Sequence, residues 1–80
     1  MQKTIYVGNL QWDVTDDELS DFFTPVGAVF SAEVVREQDT GRSRGYGFVS
    51  MENADRAMTE LNGKELRGRA VRISPRRSIR

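Results

Sequence analysis

The side chains best suited to hold a ligand are three aromatics, Tyr6, Tyr46 and Phe48, and the arginines spaced around them, Arg44 and Arg72. A ring offers a flat π face on which an unpaired base stacks, and a guanidinium offers a fork of donors to a phosphate. Two of the rings lie in Arg44-Gly45-Tyr46-Gly47-Phe48-Val49-Ser50-Met51, a run whose composition reads as a strand. Side chains alternate along a strand, so Tyr46, Phe48 and Ser50 share one face while Gly47, Val49 and Met51 share the other. Both sets carry apolar groups. The octamer alone therefore leaves two arrangements open: buried rings, or rings standing on an uncovered sheet surface as a stacking platform.

Other chemistries find little support. The sequence has no cysteine, which excludes disulfides, thiolate zinc sites and thiol catalysis. It has no histidine, the commonest general base and metal ligand, so its serines lack an activating partner. Gly63-Lys64 is missing the earlier glycine and the following Ser/Thr of a phosphate-cradling loop. Gly41, Gly45 and Gly47 are spaced for a turn and a strand. A non-catalytic protein without cofactor or metal is expected. No apolar run approaches the roughly 20 residues that span a bilayer, and no signal-peptide pattern precedes the first strand. An intracellular protein, cytoplasmic or nuclear, with no membrane partner is the corresponding expectation.

The formal charge is zero, but its distribution is uneven. Residues 1–35 set Lys3 against Asp13, Asp16, Asp17, Glu18, Asp21 and Glu33, a net of −5. Residues 64–80 set Lys64 and six arginines, Arg76 and Arg77 among them, against Glu65, a net of +6. A polyanion responds to the local potential of that basic quarter, not to the sum.

The elements that must position these groups follow in order. Thr4 to Gly8 reads as a strand, with Ile5 and Val7 on one face and Tyr6 on the other. Gly8-Asn9 breaks it, and Trp12 in the following connection reads as a lid on a core edge. Thr15-Asp16-Asp17-Glu18 has capping-box spacing, with Val14 and Leu19 placed as a hydrophobic staple. The acids read as first-turn carboxylates favoured by the helix dipole. Leu19, Phe22 and Phe23 form the helix's apolar stripe, and Pro25 and Gly27 end it. Val29 to Val35 is a second strand, Ala32 and Val34 inward, Ser31, Glu33 and Val35 outward. Glu37 to Ser43 is a polar loop, and the octamer is the third strand. Asn53 is placed to cap a second helix with Ala54, Ala57, Met58 and Leu61 on one face, stopped by Asn62-Gly63. Leu66 and Gly68 lead into a fourth strand, Ala70 to Ser74, with Val71 and Ile73 inward and Arg72 and Ser74 outward. Residues 1–75 make one domain, and 76–80 a basic tail expected to be disordered without a partner.

The order strand, helix, strand, strand, helix, strand is the split arrangement of an α+β, ferredoxin-like βαββαβ fold. In it both helices cover one face of a four-stranded antiparallel sheet. The inward set is complete without the three rings. Turning them inward would expose Ile5, Val7, Val49 and Met51, because a one-residue slip flips every side chain of a strand. Tyr6, Tyr46 and Phe48 are therefore expected on the open face, with Arg44 and Arg72.

In two of these strands the chain resembles the RNA recognition motif family. Residues 44–51 match that family's octamer, Lys/Arg, Gly, Phe/Tyr, Gly/Ala, Phe, Val, any residue, Phe/Tyr, except at Met51, an inward position. Ile5-Tyr6-Val7-Gly8-Asn9-Leu10 looks like its hexamer. The resemblance runs from about Thr4 to Ser74. It implies a module for single-stranded RNA, with bases stacked on Tyr6 and on either Tyr46 or Phe48, and a phosphate at Arg44. It brings Asn9, as part of the hexamer, into the expected RNA-binding set, to which the basic charge of the tail adds Arg76 and Arg77. Val26, where the family often has an aromatic, reads as packing only. The alternatives on the same fold are single-stranded DNA and a protein partner, the latter suited to the acidic first helix. A monomer is expected.

Overall fold

The computed structural model describes residues 3–76, and its helices and longer strands follow the periodicities of the sequence. They are β1 (Lys3–Gly8), α1 (Asp16–Phe23), β2 (Val29–Arg36), β3 (Ser43–Met51), α2 (Ala54–Leu61), β4 (Glu65–Leu66), β5 (Arg69–Ala70) and β6 (Arg72–Pro75). Four strands form one antiparallel sheet in the order β2-β3-β1-β6, so the two motif strands lie at its centre. This is the ferredoxin-like βαββαβ arrangement, with α1 packed on β2, and α2 on β1 and β6.

Local signals explain the helix ends. The Thr15 hydroxyl accepts from the Glu18 amide at 3.2 Å, and the Glu18 carboxylate accepts from the Thr15 amide at 3.1 Å. The capping box is complete, and Val14 and Leu19 close the staple as fully buried residues. Asp16 does more than favour the helix dipole: its carboxylate accepts the backbone N–H of Val34 at 2.8 Å, next to a register shift in β2. At α2 the cap position is Asn53 as expected, but its side chain makes no cap bond. Its backbone is left-handed (φ 59°), and its amide turns to the Val26 carbonyl at 3.4 Å.

The fourth sheet strand is displaced from the expected Ala70–Ser74. Residues 65–70 fold into a small hairpin, β4 against β5, with Arg67 and Gly68 at its turn, both at positive φ. Val71 bonds Gly63 and Lys64 through its backbone, so the ladder with β1 begins at Arg72. Inward and outward assignments survive this shift, with Val71 and Ile73 buried and Arg72 and Ser74 exposed.

The core contains Ile5, Val7, Leu19, Phe23, Val34, Val49, Met51, Ala57, Val71 and Ile73, with Phe22, Ala32, Met58 and Leu61 partly buried around it. Leu10, Val14, Val26 and Ala54 complete it from the connections and the start of α2. Each large side chain taken fully out of water contributes about 1.5–3 kcal/mol. Val26 packs as expected. Trp12 does not lid the core: it is 75% exposed. Leu10 and Val14 on either side are the buried residues of this connection, which turns through a hydrogen bond from the Val14 N–H to the Gln11 carbonyl. Phe30 is 53% exposed, at a shift in the β2 register between Val29 and Ser31.

Candidate nucleic-acid interface

Register brings the three rings together. Tyr6 on β1 is the cross-strand partner of Phe48 on β3, and Gly8 is the partner of Tyr46. Their ring centroids form a triangle with sides of 5.6 Å (Tyr6–Tyr46), 6.0 Å (Tyr6–Phe48) and 6.0 Å (Tyr46–Phe48). Both contacts of Phe48 are edge-on, at interplanar angles of 64° and 85°. Such pairs are worth about 0.5–1.5 kcal/mol each and hold the rings in place while leaving each half-buried, with π surface to offer. Ile5, Val7, Val49 and Met51 are sealed on the opposite side. The triangle thus occupies the face that the helices leave open.

One glycine makes room for it, and another for the sheet that carries it. A Cβ on Gly8 would lie 2.6 Å from the Tyr6 hydroxyl oxygen and 2.8 Å from a ring carbon, so the Tyr6 ring extends over Gly8. A Cβ on Gly47 would collide with the Glu33 carbonyl, which permits the close approach of β2 to β3.

Cations surround the rings. Arg44 is exposed and shares a recess with Tyr46, Val35 and Arg36. Arg72 is exposed on the other side, in a groove with Tyr6, Asn9 and Ser74. Neither forms an ion pair among the described residues. The Arg76 guanidinium stands 5.1 Å from the Phe48 centroid, a cation–π contact, and the Arg76 N–H donates to the Thr4 carbonyl at 3.4 Å. Arg77 lies outside the described residues.

Asn9 is used differently from the ring residues. In a left-handed conformation (φ 61°), its amide donates to the Ala70 carbonyl at 2.7 Å and its oxygen accepts from Arg69 Nε at 3.1 Å. It therefore fastens the 65–70 hairpin to the end of β1 and aims Arg69, a cation that sequence reasoning did not single out. Its partners lie 60 and 61 residues away, beyond any local signal. Arg67, at the hairpin turn, is committed elsewhere, to Glu18 at 2.6 Å and Asp13 at 3.2 Å. The hydrogen bond from Arg67, aided by that from the Thr15 amide, holds the Glu18 carboxyl below its usual range. Glu18 in turn raises the Arg67 guanidinium. Among the described residues no group of His, Cys, Asp and Glu could hold a metal, and no helix is long and apolar enough to cross a membrane.

Comparison with known proteins bears on this geometry. Residues 5–72 match the family model described as RNA recognition motif. The 29 kDa ribonucleoprotein A, chloroplastic, of Nicotiana sylvestris is 49% identical over 74 residues, 89% of this chain and 27% of that protein. The chain thus spans about a quarter of that relative's length. A crystal structure of RNA binding protein PG1 superposes with a TM-score of 0.88 at 41% identity, covering 98% of both chains. A Sex-lethal protein/RNA complex superposes at 0.89 with 31% identity, covering 98% of this chain and 48% of that one.

Proposed function

The chain belongs to the RNA recognition motif family, and from that premise we propose that it is a non-catalytic module whose open sheet face binds single-stranded RNA. The ring triangle, braced at 5.6–6.0 Å above a sealed core, carries the proposal. One base stacks on Tyr6 and another on Tyr46 or Phe48, each stack worth about 1–3 kcal/mol. Arg44 and Arg72, free of acidic partners among the described residues, reach phosphates on either side. Asn9 acts by positioning Arg69, which extends the cationic rim past β1. Arg76 covers one side of Phe48 before RNA arrives and stacks on or beside the incoming base. Arg77 belongs to the same basic tail.

The protein works as a monomer, at an intracellular place where RNA is present, whether cytoplasm, nucleus or organelle; the tobacco relative's name is a chloroplast one. Asp17 and Asp21, exposed on α1 and away from the rings, leave a surface for a protein partner while RNA is bound. Single-stranded DNA is the competing ligand, since stacking and phosphate contacts need no 2′-hydroxyl.

The test is titration of short random-sequence RNA and DNA pools against the protein and its Tyr46→Ala and Phe48→Ala variants. The wild type binds RNA, each variant stays folded, and each loses about 1–3 kcal/mol of affinity. Variants that unfold at room temperature, or folded variants with wild-type affinity, would overturn the face assignment.

A further inference from the structure

Next to the Phe48 ring the open face carries an acid that the proposed binding mode has not used. Glu33 on β2 is the cross-strand partner of Phe48. It is exposed while its neighbour Val34 is buried, so its carboxylate is on the ring side of the sheet. Glu33 and Phe48 line one recess with Ser31, Val35, Arg36 and Arg76. Despite those two arginines, the Glu33 carboxylate has no ion-pair or hydrogen-bond partner among the described residues. Tyr6 and Tyr46, each 6.0 Å away, close two other flanks of Phe48, and the Arg76 guanidinium stands 5.1 Å from its centroid.

A base stacked on Phe48 therefore overhangs toward β2, where directly opposed residues have Cβ atoms about 5 Å apart, and presents an edge to Glu33. An ionised carboxylate repels phosphates and only accepts hydrogen bonds, so it suits a base edge that offers donors. Guanine places N1–H and the N2 amino group side by side on its Watson–Crick edge, two donors for two oxygens. Adenine and cytosine set one amino group beside an acceptor, and uracil sets one N–H between two carbonyls. Each of these leaves an acceptor facing the carboxylate. We propose that Glu33 is a specificity-determining residue that selects guanine at the nucleotide stacked on Phe48. This rests on the RNA-binding reading above and adds a preference to it.

The experiment measures binding of short oligouridines whose central nucleotide is guanosine, inosine, adenosine, cytidine or uridine. Inosine keeps N1–H and lacks the N2 amino group. Guanosine is expected to bind about tenfold more tightly than adenosine, cytidine or uridine, with inosine between them. In Glu33→Gln the preference falls to about twofold or less, while plain oligouridine binds at least as tightly, because a repulsive charge has gone. Equal affinities for guanosine and inosine in the wild type, or an undiminished preference in Glu33→Gln, would overturn the assignment. Binding of every oligomer without a guanosine preference removes this inference alone. Failure of the folded wild type to bind any of them removes the RNA-binding reading and the inference together.

Discussion

Gly8 and Gly47 separate binding from folding at the level of single residues. The atoms that a methyl group on Gly8 would strike belong to the Tyr6 ring tip, which can swing away. Gly8→Ala is therefore expected to keep the fold, displace the ring, and cost RNA affinity about as much as one lost stack, roughly 1–3 kcal/mol. The atom that a methyl group on Gly47 would strike is the backbone carbonyl of Glu33, which cannot move without parting β2 from β3. Gly47→Ala should instead lower stability by about 1–3 kcal/mol, the usual cost of overpacking. Thermal melts and RNA titrations of both variants check the pair. Wild-type affinity in Gly8→Ala would mean that no base rests on Tyr6. The ring positions were legible because alternation along β1 and β3 needs only the neighbouring residues. The burden on Asn9 was not, since nothing near it in the chain announces Ala70 and Arg69 as its partners.

The element that local patterns hid is the 65–70 hairpin, whose strands are two residues long and carry no period. It is held from outside, by Asn9 and by the Arg67 fork to Asp13 and Glu18, contacts that span 49 and 54 residues for the arginine. The capping box, by contrast, was readable because its four residues are consecutive. Arg67 predicts a pH effect. Glu18 has a folded pKa below its ordinary value of 4.5. Its contribution to stability is thus fully present above 4.5 and fades as pH falls through the lower folded value. Arg67→Ala removes the largest cause of that depression. Urea midpoints measured from neutral pH to well below 4.5 should fall less steeply in Arg67→Ala than in the wild type. Parallel acid limbs would show that the fork does not stabilise the fold. Thr15→Ala, which breaks the cap at the same place, should cost about 1 kcal/mol at neutral pH.

For the whole molecule the fold was legible because two strand–helix–strand halves and a one-sided core admit few topologies, whereas the use of each charge was not. Zero net charge and a basic C-terminal quarter are sequence facts, but ion pairing decides which cations a polyanion meets. Arg67 pairs with Asp13 and Glu18, Lys3 with Asp55, and Arg56 with Glu60. Arg44, Arg69 and Arg72 pair with no acid among the described residues, and Arg76 rests on Phe48. The salt dependence of RNA binding should reflect this division. Each phosphate contact to a single strand adds about 0.7 to the slope of log affinity against log salt. Arg72→Ala is expected to flatten the slope by about that amount, while Arg67→Ala leaves it unchanged. Truncation after Pro75, which removes Arg76 and the rest of the tail, should flatten it further. If truncation weakens binding at an unchanged slope, Arg76 acts by stacking at Phe48 and not on phosphate. If neither affinity nor slope responds, the tail takes no part in binding.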